Sequence, residues 1–229
     1  MKKHFWKIAA VVVVIIMGGS IVLAKQMEEK ANVGVEIKEH VKGNIDSGVT
    51  LVEYSDFQCP ACGQFYPIVK DLTEKHAATL KMEYRHFPLT QLHPNAVAAA
   101  MAAEAAGQQD KFWEMHDKLF DNQKMWSTTP APQAQFIKYA EELGLDLTQF
   151  KRQMRSSILR EHILSQQAEA LSKGFTGTPS FLLNDQPFRF ETFQEFNGGI
   201  EVALGIAPSV EGVNVPPTNS VEFGLPVAE

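Results

Sequence analysis

The 229-residue chain contains only two cysteines, Cys59 and Cys62, three positions apart. So small a number excludes a disulfide-stapled scaffold and a four-cysteine zinc site within one chain. The seven histidines include no pair with three to five residues between them, so a zinc finger cannot be completed either. A basic surface is missing as well. With 21 Lys and Arg against 27 Asp and Glu the net charge is −6, and no nucleic-acid partner is expected. Beyond Phe190 there is no Lys or Arg, only Glu191, Glu195, Glu201, Glu211, Glu222 and Glu229, so the net charge resides in that last stretch. No internal repeat is present. At 45% hydrophobic and 21% charged, the composition is that of a globular chain of one or two domains able to bury a core.

Charge is absent from one long stretch. Residues 8–24 (IAAVVVVIIMGGSIVLA) carry none, and they follow Lys2, Lys3 and Lys7 with Phe5 and Trp6 at the boundary. This is the pattern of a membrane-targeting segment, since basic residues stay inside and aromatics favour the interface. Its length lies between a short spanning helix and a long signal-peptide core, and Val22-Leu23-Ala24 is a tolerable cleavage site. Anchor and cleaved signal both stay open. The long apolar run, with no polar region before the candidate cut, favours an anchor. In either case everything after Lys25 is expected on the extracytoplasmic side.

Residues 25–47 are polar and charged, which predicts a tether and then a short edge strand around 39–42. The run 49–54 (VTLVEY) predicts a buried strand. Cys59-Pro60-Ala61-Cys62 follows, and Phe65, Ile68, Val69 and Leu72 then recur at helical spacing, so the cysteines sit at a helix N-terminus. Residues 81–87 alternate with the period of a strand. Strand, helix, strand predicts a βαβ unit with parallel strands. From 94 to 173 no strand pattern occurs, and helices are expected over 95–106, 110–123, 132–143, a segment capped by Asp146 with Gln149, and 159–173. A hairpin is expected from 180–183, a turn at Asn184-Asp185, and 188–190. A last helix contains Phe193 and Phe196, weakened by Gly198-Gly199, and coil follows from Gly205.

The chemistry begins at the paired cysteines. A sulfur at the start of a helix lies over unpaired N–H groups, which favour thiolate over thiol, so Cys59 is the expected nucleophile. Cys62, one turn further in, can close a small ring and resolve a mixed disulfide. A structural disulfide and half a zinc site compete with this reading, and the strand before and helix after favour the redox pair.

Several ordered motifs then accumulate. Glu53-Tyr54-Ser55-Asp56-Phe57-Gln58-Cys59-Pro60-Ala61-Cys62, Arg85-His86-Phe87-Pro88-Leu89, His93-Pro94-Asn95-Ala96 and Gly177-Thr178-Pro179-Ser180-Phe181 resemble the DsbA-type thioredoxin-fold family, especially its membrane-anchored members, over about residues 41–204. The resemblance implies an α/β protein, a thioredoxin fold with an inserted all-helical domain. The expected organisation is an anchor or signal at 1–24, a polar tether at 25–40, a first thioredoxin part at 41–93, a helical insertion at 94–173, a second thioredoxin part at 174–204 and an acidic, proline-containing tail at 205–229.

The same resemblance makes Thr178-Pro179 the cis-proline loop beside the cysteines. It puts the Glu53 carboxylate under the active site, where it could relay a proton from Cys62, and it gives His86 and His93 packing or hydrogen-bonding positions. Tyr54, Phe57, Phe65 and Tyr66 are candidates for an apolar peptide groove, with core packing as the competing explanation. The dipeptide Pro60-Ala61 contains no histidine to stabilise the thiolate, so reduced oxidising power is expected. The implied function is thiol:disulfide exchange in translocated proteins through a redox-active Cys59–Cys62 pair, with no other cofactor and no metal. The implied partners are exported cysteine-containing polypeptides and a membrane redox protein that resets the pair; with no separate dimerisation domain, a monomer is expected. Two alternatives stay open, a reductase or isomerase of the same fold and a non-catalytic binding or chaperone module with a structural disulfide.

Overall fold

The computed structural model describes residues 2–207, with side chains described from Ile16 onward, so most of the expected acidic tail lies outside the described residues. Five strands form one mixed sheet: β1 (His40–Gly43), β2 (Thr50–Ser55), β3 (Lys81–His86), β4 (Ser180–Leu183) and β5 (Gln186–Phe188), in the spatial order β1-β3-β2-β4-β5. β2 and β3 are parallel, and every other neighbouring pair is antiparallel. The crossover between them contains α2 (Pro60–Lys75), as the βαβ reading requires. Leu51 through Ser55 are all buried, which is why the central strand reads as a near-continuous apolar run rather than an alternating one.

From β3 the chain passes through α3 (Ala96–Gly107), α4 (Phe112–Asp121), α5 (Gln123–Trp126), α6 (Gln133–Glu142), α7 (Leu147–Gln153) and α8 (Ser157–Ser172) before returning to β4. The expected thioredoxin fold with helices inserted between β3 and β4 is the observed architecture. Asp146 caps α7 by accepting from Thr148 N and Gln149 N. α8 starts earlier than 159 because Ser156 is its N-cap, its hydroxyl accepting from Leu159 N. The hairpin also differs from expectation. Asn184 and Asp185 take φ of 50° and 62°, a two-residue turn that pairs Leu183 directly with Gln186, so β5 is 186–188 rather than 188–190. α9 (Phe193–Ala203) runs through Gly198-Gly199; Phe188 occupies the space that a Cβ on Gly199 would need, 2.6 Å from the ring.

The N-terminal segment is helical over α1 (Lys2–Asn32), so the first part of the expected tether continues a helix. Its end docks on the insert: Ser156 Oγ donates to Asn32 Oδ1 at 2.7 Å, and Asn32 Nδ2 donates to Ser157 Oγ at 3.0 Å. Gln108 then holds the backbone of Glu36 at both its N–H and its carbonyl. Among the described residues no helix is long and apolar enough to cross a membrane, and the side chains of 8–15, the first part of the expected anchor or signal segment, lie outside the described residues. The apolar run at 8–24 has described side chains only from Ile16, and charge returns at Lys25.

Two aromatic clusters fill the core. Phe65, Phe181, Phe190, Phe193 and Phe196 pack between α2, the β4–β5 side of the sheet and α9. Phe57, Tyr84, Phe112, His116 and Phe120 join the loop after β2 to α4. A buried polar knot lies beside the second cluster. His40 on β1 and His86 on β3 both place Nε2 on Glu104 Oε1 of α3, at 2.8 and 2.9 Å. Burial disfavours the charged Glu104 carboxyl, but the two imidazoles outweigh it and hold the group down at about 2.

Glu104→Ala would leave both imidazoles buried without their acceptor, and a loss of about 2–5 kcal/mol is expected in urea denaturation at pH 7. His116 provides a pH signature. Burial lowers it to about 4, against an ordinary 6.5, despite its bond to Asp117. Between those values the unfolded chain binds a proton that the folded one refuses, so stability should fall as pH drops from 6.5 to 4. A urea midpoint constant over that range would contradict a neutral buried His116.

Candidate active site

β2 ends at Ser55, and Asp56 to Gln58 carry the chain to the start of α2. Cys59 is the N-cap, extended at φ −67° and ψ 123°, with Pro60 opening the helix and no side chain capping it. The sulfur therefore occupies the place where a capping oxygen would sit, with free helix N–H groups before it. Both cysteines are free thiols; Cys59 is 7% exposed and Cys62 fully buried. Thr178-Pro179 is a cis peptide, and Cys59 Sγ lies 3.4 Å from Thr178 O. Cys59, Cys62, Thr178 and Pro179 thus meet at one point, while Pro60 is exposed and Ala61 half-buried at its edge.

The two sulfurs are electrostatically opposed. The hydrogen bond from the Cys62 side chain lowers Cys59 to about 6 against the opposing cost of burial, with help from the backbone N–H groups of Cys62 and Ala61 and from the nearby Thr178 hydroxyl, which makes no bond of full hydrogen-bonding geometry. Burial pushes Cys62 well above the ordinary thiol range, and its proton is shared toward Cys59. The environment thus favours the thiolate at Cys59 and the thiol at Cys62, the asymmetry that an attacking and a resolving thiol need.

Glu53 lies beneath, 3% exposed on β2, and burial raises its carboxyl to about 7, partly offset by the Ser55 hydroxyl. Glu53 and Ser55 are two apart and share a strand face. The Ser55 hydroxyl also acts on Cys62 and Tyr84, although it makes no bond of full hydrogen-bonding geometry to any of the three. A small cavity runs from Glu53 past Tyr66, Thr73 and Phe120 to Lys70 and Asp117, whose ammonium–carboxylate pair is 2.7 Å long.

Asp56 is a site residue that the sequence reading passed over. Its carboxylate is fully buried: Oδ1 accepts from Gln58 N at 2.7 Å, and Oδ2 from Leu89 N at 2.9 Å and His93 Nδ1 at 2.7 Å. That bond raises His93 above its ordinary value, and the Cys59 charge adds to the rise. Asp56 N also points at Cys62 Sγ, 3.5 Å away. His93 thus has the hydrogen-bonding position expected of it, and an aspartate set between apolar Tyr54 and Phe57 was the available signal. Gln58, Asn95 and Gln123, whose amides stitch this loop to the insert, gave no signal of their own.

The groove beside Pro179 is lined by Phe65, Phe175, Thr176, Phe181, Phe188 and Phe190 among others. Of the four aromatics named from sequence only Phe65 reaches it. Tyr54 and Phe57 are core, and Tyr66 lines the cavity beneath Glu53: alternation along β2 turns Tyr54 away, Phe57 packs inward from the loop before α2, and the helix carries Tyr66 to another side than Phe65. His40, His86 and Glu104 are the one group among the described residues with the ligand types and proximity for a metal ion. Both imidazoles spend Nε2 on the same carboxylate oxygen, which closes the group as a hydrogen-bonded knot.

The thioredoxin family profile matches residues 36–201. Among curated relatives, a Na(+)/H(+) antiporter, NhaA 3 of Salinispora tropica, is 40% identical over 147 residues, which are 64% of this chain and 22% of the antiporter. NhaA 1 of Salinispora arenicola is 41% identical over the same shares, so the match spans less than a quarter of these relatives' length. Among solved structures, a thioredoxin-like oxidoreductase from Silicibacter pomeroyi DSS-3 is 28% identical with TM-score 0.61, covering 78% of this chain and 99% of that one. Wolbachia pipientis α-DsbA1, at 18% identity and TM-score 0.65, covers 77% and 96%; BdbD from Bacillus subtilis, at 23% and 0.62, covers 73% and 93%. These neighbours have the DsbA-type fold expected from the motifs and belong to the expected enzyme class.

In the reduced protein, iodoacetamide at pH 7 should modify Cys59 and spare Cys62, with a rate that titrates near pH 6. Peptide mass spectrometry reads this directly. Equal labelling of both cysteines would remove the assignment of nucleophile and resolver.

Proposed function

The chain belongs to the thioredoxin family, and from that premise we propose that it is a thiol:disulfide oxidoreductase that introduces disulfides into translocated polypeptides through Cys59 and Cys62. One observation carries the reading: a free sulfur at an uncapped helix start, 3.4 Å from the carbonyl before a cis-proline, with a second, fully buried sulfur one turn in.

The oxidised pair reacts in two displacements. A substrate thiolate attacks Cys59 Sγ, the Cys59–Cys62 bond breaks, and Cys62 leaves as a thiolate that takes up a proton. A second substrate thiolate then attacks the substrate sulfur of the mixed disulfide and releases the Cys59 thiolate. Two electrons pass from substrate to protein, and a membrane redox protein would return the pair to the disulfide. The Thr178 backbone, beside the sulfur, offers main-chain pairing to an extended segment, and the phenylalanine groove takes an apolar side chain next to the substrate cysteine. Glu53, held near neutrality, is the group suited to supply or accept the Cys62 proton at pH 7, with Ser55 between them.

The direction of electron flow follows from the thiolate. A Cys59 held at about 6 stabilises the reduced form and so favours an oxidant. The Pro60-Ala61 dipeptide works the other way and favours the second reading, a reductase or isomerase of the same fold. Redox titration against glutathione decides: a potential well above about −200 mV supports the oxidase, and one near the thioredoxin value of about −270 mV supports the reductase. The charge-free run at 8–24 behind three lysines supports export and membrane attachment, and carbonate washing of membranes tests whether the protein remains bound.

Cys62→Ala should accumulate mixed disulfides with exported proteins, whereas Cys59→Ala should trap none; non-reducing gels with mass spectrometry read the adducts. Glu53→Gln should slow the Cys62-dependent step by roughly tenfold or more at pH 7. It should also stabilise the fold. The native carboxyl, raised to about 7, binds a proton that the unfolded chain releases above about 4.5, so wild-type stability declines as pH rises between these values. The glutamine variant escapes that decline, by about 3 kcal/mol at most, and a variant both as fast and no more stable would show that Glu53 reaches solvent.

A further inference from the structure

The insert holds the reactive cysteine by its backbone. Gln123 is the first residue of α5, and its Nε2 donates to two carbonyls at once, Phe57 O and Cys59 O, each at 2.8 Å. The Cys59 carbonyl also accepts from Gly63 N at 3.1 Å, the first helical bond of α2. One carboxamide therefore ties the last residues before the helix to its first turn. Gln58 makes the reverse connection, donating to Ser127 O and accepting from Asn95 N, both at 2.7 Å. α5 is itself anchored, because Trp126 is fully buried and its Nε1 donates to Leu119 O.

Gly63 shows that the fit is tight. It sits inside α2, where glycine is a poor helix former, and its backbone has none of the positive φ that would call for glycine. A Cβ at this position would lie 2.6 Å from Gln123 Oε1 and 3.0 Å from its Cδ. The close approach of the amide is what the missing side chain permits.

We propose that Gln123 is a positioning residue for Cys59: its carboxamide clamps the carbonyls on either side of Gln58, and so holds the N-cap loop in the one arrangement that turns the first N–H groups of α2 toward Sγ. The clamp rests on the thiol-exchange reading, since it acts through the reactivity of that sulfur. Without it the Phe57 carbonyl needs a new donor and the Cys59 carbonyl keeps only Gly63 N, the loop relaxes, and the backbone N–H groups of Ala61 and Cys62 that now favour the thiolate lose their aim. Reach through the insert thereby becomes a control on the sulfur.

Two variants of the full chain break the clamp from opposite sides. Gln123→Met keeps the length and removes the donor. Gly63→Ala leaves Gln123 in place but displaces its amide, while helix propensity alone favours alanine. The readout is the pH profile of Cys59 alkylation in reduced protein, each variant normalised to its own high-pH plateau, with thermal melting followed alongside. Both variants should show the Cys59 titration moved upward, with alkylation at pH 6 three- to tenfold slower relative to the plateau. A wild-type profile in either folded variant overturns the clamp and leaves Gln123 an ordinary interface residue. Should Gln123→Met not fold, Gly63→Ala decides alone. A wild-type protein whose Cys59 itself titrates near 9 would instead overturn the thiol-exchange reading, which keeps the two failures apart.

Discussion

The structure is organised around a helix that begins without a cap. Helix starts normally satisfy their orphan N–H groups with a serine, threonine or aspartate oxygen, worth about 1 kcal/mol. α2 forgoes this. Its N-cap is Cys59, followed by Pro60, which has no N–H to satisfy, and by Ala61 and Cys62, whose N–H groups are left for a sulfur. An anion there is stabilised by the same groups that a capping oxygen would have used. The fold tolerates this omission only if the chain before the helix is fixed by other means. Asp56 supplies them from below, with three donors converging on one buried carboxylate, and Gln123 from the side.

The second constraint is depth. Cys59 and Cys62 are one helical turn apart, yet that turn carries the chain from the rim into a core where Cys62 has no exposure. The same environment that raises Cys62 raises Glu53 and its partner across the β2–β3 pairing, Tyr84, so that several weakened acids share one apolar region. Their proton affinities differ because a carboxyl, a thiol and a phenol start from different ordinary values, and burial pushes all three upward. Glu53, at about 7, is the member of this group able to change state near neutral pH, and the cavity beside it ends at the Lys70–Asp117 pair. In the proposed exchange reaction, a proton passed from Cys62 to Glu53 would lie on the side of this cavity and not of the groove beside Pro179.

Much of this was legible in the chain because the relevant signals are local. The run 49–54, the C-x-x-C and the helical spacing of Phe65, Ile68, Val69 and Leu72 lie within 24 residues, and they specify strand, turn and helix by periodicity alone. The turn at Asn184-Asp185 was equally local, but the two-residue loop it forms sets register as well as position, and only that consequence moved β5 to 186–188. What stayed hidden was non-local. Glu104 sits in a run of alanines that reads as a featureless helix, and its meaning depends on His40, 64 residues away, and His86. Gln123 reads as a helix residue like any other until the loop 64 residues earlier is folded against it.

The insert accordingly does more than extend the fold. Parallel strands β2 and β3 leave the N-terminus of α2 at one end of the sheet, where a ligand-binding edge arises from topology. Left bare, that edge would present the backbone of 56–59 to water, and its geometry would be set only by the chain's own turn. Helices α3 and α5 remove this freedom by offering amide groups to it: Asn95 N meets Gln58, and Gln123 meets Cys59. The His40–Glu104–His86 knot fixes α3 to β1 and β3 on the other flank, so the platform that holds the loop is itself held to the sheet. A reactive thiol needs an environment that does not reorganise when its charge appears, and here that rigidity is assembled from two parts of the chain that sequence separates and the fold brings into hydrogen-bond contact.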